Sequence, residues 1–321
     1  MKTMKWLIRR EFWENKGMFF WAPIVVSVLL VLSLGGSMIY GVSHGTIHLD
    51  GGESRGVAQT LAGITPDQQS NMAALIAKTY MAVSAPLYIM FSFVAFFYCL
   101  GALYEERRDR SILFWKSLPV SDSQTVLSKL VTTLLAAPLI MIAASIAMSV
   151  ILLLVLCASL SIAGVHVSGM VLGNAAVYKA PFLILALMPV YVFWSLPTVG
   201  WLMMVSSWAR SKVFLWAVGV PLLLMGVSKW ATHLYNLSWN VDWFNKYVVL
   251  RSLGGLVPGN WMLFDNIQKI DIQGADESIE LDLLVARSWV SLASPAAWIG
   301  AAVGIAMILV AVRMRRWKDE G

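Results

Sequence analysis

The sequence predicts an all-α integral membrane protein with six transmembrane helices, and three observations carry that prediction. Hydrophobic residues make up 59% of the 321-residue chain and charged residues only 13%, against roughly 25% charged residues in a soluble globular chain. Asp, Glu, Lys and Arg are missing from six runs: Gly17 to Ser43, Thr79 to Tyr104, Leu130 to Tyr178, Ala180 to Ala209, Val213 to Ser228 and Ser288 to Val312. About 20 apolar residues are enough for a helix to cross the hydrocarbon core. Lastly, sixteen of the 24 Lys and Arg residues fall in segments that six crossings place on the side of the N-terminus, as expected when that side is cytoplasmic.

Residues 1–17 form the first element. Met4, Leu7, Ile8 and Phe12 recur at helical spacing, with Lys5, Arg9 and Lys16 on another face, which predicts a cytoplasmic helix lying in the headgroup region. Glu11 and two tryptophans blur its apolar stripe. The rest, 18–321, reads as one six-span unit, with spans at about 18–43, 80–103, 127–157, 181–208, 213–232 and 289–312. The first run exceeds the 7 to 15 apolar residues of a cleavable signal, so it is read as a retained span. In the long run Leu130 to Tyr178, Gly164, His166, Ser168, Gly169, Gly173 and Asn174 make the second half a poor lipid-exposed helix. It is therefore one span followed by an external loop. The short run at Val213 spans only if Lys229 snorkels and the helix continues toward His233. Residues 233–288 form a long external loop whose Trp239, Trp243, Phe244, Trp261 and Phe264 suit a cap folded onto the membrane, with room for short re-entrant helices. Both termini then lie in the cytoplasm.

Between spans two and three, Tyr104 to Leu130 concentrates Glu105, Glu106, Asp109 and Asp122 with Arg107, Arg108, Arg110, Lys116 and Lys129. Glu105 to Lys116 reads as a helix with its acids first and its cations after, which complements the helix dipole, and Glu106 with Arg110 has i,i+4 spacing. Ser117-Leu118-Pro119-Val120 breaks it, and Ser121 with Gln124 is a capping-box signature that starts a new helix running into span three. The product is a cytoplasmic helix-turn-helix elbow bearing apolar residues beside its charges.

Chemical signatures are few. No G-x-x-x-x-G-K-[ST] occurs, so the chain has no phosphate cradle of that type. It is not expected to be an enzyme, to hold a cofactor or a metal, or to bind nucleic acid; its net charge of +6 is a matter of topology. Cys99 and Cys157 lie in apolar runs and read as packing residues. Glu105 to Arg110 fits the E-E-x-x-x-R pattern of intramembrane proteases, but the partner histidines of such enzymes are missing. The spans hold no carboxylate or cation on which an ion-driven carrier would depend.

The elbow, the Ser-Leu-Pro-Val-Ser turn, Lys129, the basic Trp-bearing N-terminal helix, the long last external loop and the Arg-Arg-Trp sequence at Arg315 to Trp317 resemble the type-2 permeases of ATP-binding-cassette (ABC) exporters. That resemblance implies the transmembrane subunit of an ATP-driven exporter in a bacterial cytoplasmic (inner) membrane. Its implied partners are two copies of a separate ABC ATPase carrying ATP and Mg, a second copy or a related permease, and membrane lipids. In that family the elbow is the coupling helix that seats in the ATPase. On this chain Glu105, Glu106, Arg107, Arg108 and Arg110 would supply its polar contacts, Phe114 and Trp115 its anchors, and Pro119 its turn. The alternative is a non-transporting membrane anchor or sensor with a ligand-binding external loop.

Overall fold

A computed structural model describes residues 2–48, 54–56, 63, 65–117, 119–235, 240–264 and 281–317. Leu118 of the elbow's break, Trp239, most of the acidic stretch before Leu281 and Lys318 lie outside them. The described chain is helical apart from one short antiparallel pair, Thr46–His48 with Ser54–Gly56.

Six of its helices are long and apolar enough to cross a membrane: Gly17–Val42, Pro66–Arg108, Asp122–Ile162, Ala175–Trp208, Leu215–Tyr235 and Pro295–Trp317. The chain is therefore a multi-pass membrane protein. They are numbered here spans 1 to 6 in that order. Spans 1, 3 and 5 each contain a wide π-type turn, Gly17–Trp21, Thr132–Ala136 and Leu215–Gly219, ending two residues before Pro23, Pro138 or Pro221. Proline brings no N–H and its ring crowds the carbonyl four residues back, so the ladder is reset across five residues, as from Ala22 to Gly17 and from Ala137 to Thr132.

Spans 2 and 4, like span 3, start earlier than their charge-free runs. Thr65 and Gln68 close a capping box and Pro66 takes the first turn, so span 2 begins before Asp67 and Lys78, which the expected boundary near residue 80 excluded. Asn174 caps Ala176, and Ala175–Ala186 starts span 4 where external loop was expected. Together with Ser168–Gly173 these early turns pack on the end of span 3 and form a small core of their own, which includes Tyr80, Leu160, Val165 and Val171. The Tyr80 hydroxyl donates to the Val177 carbonyl at 2.7 Å.

Spans 4 and 6 make the closest crossing. Gly200 and Gly304 lie backbone to backbone, and a Cβ on Gly304 would stand 2.6 Å from the Leu196 carbonyl group. Small residues allow such an approach where lipid gives helices no hydrophobic reason to associate. The segment before span 6 is not a free cap. Trp261 and Phe264 are buried in the main core, the Trp261 indole donates to Ser288 at 2.9 Å, and Thr198 of span 4 donates to the Arg251 carbonyl at 2.6 Å while accepting from the Gly255 N–H at 3.0 Å. Irregular backbone of this kind is stable because protein surrounds it and satisfies its polar groups.

The N-terminal helix Lys2–Glu14 does more than lie among headgroups. Trp6 and Trp13 are exposed, but Leu7 and Glu11, one turn apart on one face, are buried.

Candidate functional site

Glu11 is fully buried, and a carboxylate there is stable only when paired and hydrogen-bonded. Its partners come from distant parts of the chain. The Tyr98 hydroxyl of span 2 donates to Oε2 at 3.0 Å, and Lys129 of span 3 places Nζ 3.0 Å from Oε1. The neighbouring Arg10 donates to Oε1 at 2.7 Å.

Lys129 is positioned by its helix start. The Ser121 and Gln124 capping box forms as the sequence predicts and fixes the register. Asp122 in the first turn and Lys129 two turns on then share one face. Lys129 is buried, and its ammonium also lies 3.0 Å from Glu106 Oε1. Arg315, in the last turn of span 6, completes the cluster by donating to Glu106 Oε2 at 2.6 Å and to Asp122 Oδ1 at 3.0 Å. Three carboxylates (Glu11, Glu106, Asp122) thus face three cations (Arg10, Lys129, Arg315), so the cluster is neutral in itself. Glu14 stands at its rim, 3.1 Å from Arg10, and partial burial raises its carboxyl above the usual range against the pull of that guanidinium.

The elbow is wired into this cluster and into span 4. Its first helix is Tyr104–Arg108 and its second Ser111–Ser117, so the single helix expected from Glu105 to Lys116 is broken at Asp109 and Arg110. Arg110 adopts φ 55°, a left-handed conformation that ends a helix, and the Ser111 hydroxyl donates back to the Glu106 carbonyl at 3.3 Å. This turn separates Glu106 from Arg110, and Glu106 pairs inward instead. Ser206 near the end of span 4 accepts from both the Leu103 and Tyr104 N–H groups at 3.0 Å. Arg107 caps the same helix end through the Ser206 and Ala209 carbonyls, which have no partners within the helix.

The eight residues assigned to docking therefore divide by environment. Glu105, Arg108, Arg110 and Pro119 are exposed, and Arg108 pairs locally with Asp109 at 3.1 Å. Trp115 is half-buried beneath Arg10, whose guanidinium carbon is 3.7 Å from the ring centroid. Glu106 and Arg107 turn into the protein. The Phe114 side chain lies outside the described residues. Glu11, Arg10, Tyr98, Asp122 and Arg315 escaped the sequence reading as one unit. The signal available was Glu11 itself, an acid one turn from Leu7 on the apolar face of a basic helix.

The cluster joins the N-terminal helix, the elbow, the start of span 3 and the end of span 6 at one end of the bundle. Among the described residues no group of His, Cys, Asp and Glu is arranged to hold a metal ion. Compared with models of protein families, with curated proteins and with solved structures, the chain matches none.

Proposed function

We propose that this chain is the transmembrane subunit of an ATP-driven exporter of the ABC type-2 class. It would sit in a bacterial cytoplasmic membrane with both termini in the cytoplasm, pair with a second permease, and take its energy from two copies of a separate ATPase that carry the ATP and Mg. The observation that carries this reading is the double character of the elbow. One side presents Glu105, Arg108, Arg110 and Pro119 to solvent, and from the other Glu106 reaches Lys129 at the start of span 3 and Arg315 at the end of span 6. A partner that moves such an element acts on the spans bonded to it, because salt-bridge networks and rigid helices carry coupling between sites. The shared end of the N-terminal helix, the elbow and span 6 supports the placement of both termini on one side, and the sixteen Lys and Arg residues assigned there support the cytoplasmic one.

The test is co-expression with an ATPase encoded beside this gene, followed by purification through a tag on this chain. The ATPase is expected to co-purify, ATP hydrolysis is expected only when it is present, and Arg108→Glu with Arg110→Glu is expected to reduce its capture at least about tenfold by opposing the surface charge. Capture unchanged by the double reversal would remove the elbow as the docking site.

A further inference from the structure

Arg251 is one of three buried cations among the described residues, and unlike Lys129 and Arg315 it has no carboxylate partner among them. Only 3% of it is exposed, yet its guanidinium meets the Ala296 and Ala297 carbonyls, the face of Trp194 at 4.3 Å from the ring centroid, and an Nε that has no hydrogen-bond partner among the described residues. Backbone carbonyls and an aromatic face orient a guanidinium without neutralising it. Its position is built: Gly300 faces the guanidinium so closely that any Cβ there would collide with it. Arg251 also forms part of the wall of a cavity of about 260 Å³ between spans 4, 5 and 6, otherwise lined by apolar groups that include Pro197, Trp201, Leu224, Val303 and Met307.

The cavity opens outward past Ile299 and Trp243, both more than half exposed on the surface of the bundle. Ile299 belongs to span 6, so that opening faces the bilayer. Ala297 and Arg315 are 18 residues apart in one helix, about 27 Å at 1.5 Å per residue, so this cation lies toward the opposite membrane face from the ion cluster. An anion that reaches an uncompensated arginine through an apolar opening must bring an apolar body with it, and the planar guanidinium suits the oxygens of a phosphate.

We propose that this cavity binds an anionic phospholipid, with its phosphate on Arg251 and an acyl chain along Pro197, Leu224, Val303 and Met307. The site does not depend on the exporter reading, because it requires only the residues of this chain and a bilayer.

Native mass spectrometry of the full chain in detergent tests it, with dioleoyl phosphatidylglycerol, dioleoyl glycerol and inorganic phosphate as the probes. Phosphatidylglycerol is expected to bind at least about tenfold more tightly than the diacylglycerol with the same chains, which is one charge-assisted contact. Arg251→Met is expected to remove that preference; it deletes a buried charge without stranding an opposite one, so the fold should survive. Val303→Trp fills the apolar part, keeps the cation, and is expected to weaken phosphatidylglycerol binding by a similar factor. Millimolar inorganic phosphate is expected not to displace the lipid. Equal binding of the two lipids, a preference that persists in Arg251→Met, full binding in Val303→Trp, or displacement by inorganic phosphate would each overturn the proposal.

Discussion

Lys129→Met is expected to lower the unfolding free energy by about 3–5 kcal/mol, the cost of removing one partner from a buried ion pair. Without its ammonium, Glu11 and Glu106 face each other's charge, each having lost a partner at 3.0 Å. Against a total stability of about 5–15 kcal/mol, that loss is a large fraction of the whole. Methionine matches the length of the lysine stem, so lost packing is a small part of the effect. The cause is separated from the magnitude by a double-mutant cycle. Glu11→Gln alone strands Lys129 in part, whereas Glu11→Gln with Lys129→Met removes both charges and is expected to cost less than the sum of the single changes by about 1–3 kcal/mol. Denaturation of the detergent-solubilised protein, followed by its intrinsic fluorescence, measures all three. Strictly additive costs would show that Glu11 and Lys129 do not meet.

Gly304→Val is expected to cost about 3 kcal/mol, the upper end of the range for overpacking. The added atoms would meet backbone, Leu196 at 2.6 Å and the Pro197 nitrogen at 2.8 Å, and no rotamer change can move a backbone aside. Spans 4 and 6 must therefore separate along their whole crossing, which also pulls Thr198 from the segment it holds at Arg251 and Gly255. Ile305→Val on the half-exposed face of the same helix is the control, expected to stay within about 0.5 kcal/mol of the wild type. Thermal unfolding of the two variants side by side distinguishes a specific crossing from a general sensitivity of span 6.

What was readable in the sequence was local. The six apolar runs each hold a span because hydrocarbon thickness imposes a minimum length on any crossing helix, and the Ser121 and Gln124 box declared its helix because all its atoms lie within four residues. The boundaries at Pro66 and Ala175 were missed where Asp67, Lys78 and Lys179 interrupt the apolar run, although protein and the membrane edge tolerate charge there. Arg110 shows the same limit within the elbow, since nothing in the residue type announces a left-handed turn. The ion cluster was illegible for a different reason. Glu11 meets Tyr98 across 87 residues and Lys129 across 118, and Glu106 meets Arg315 across 209. On the wheel of its own helix Glu11 is a defect in an apolar stripe; only the fold brings its partners to it. The elbow's charge could be read, but not that half of it faces inward. Gly300 and Gly304 have the spacing of a close helix contact, whereas what they meet, Arg251 and the Leu196 to Pro197 backbone, is visible only in three dimensions.

On the exporter reading, force applied to the elbow reaches the spans through Glu106. The most direct measurement uses the complex with the co-purified ATPase, spin-labelled at exposed positions on the elbow and at the opposite end of span 6, and reads the distance between the labels with and without ATP. In wild type the distance is expected to change on ATP binding. In Glu106→Gln the ATPase should still be captured, because Arg108 and Arg110 are untouched, while the ATP-dependent change in distance should be lost. A Glu106→Gln complex that moves as the wild type does would show that Glu106 does not carry the coupling.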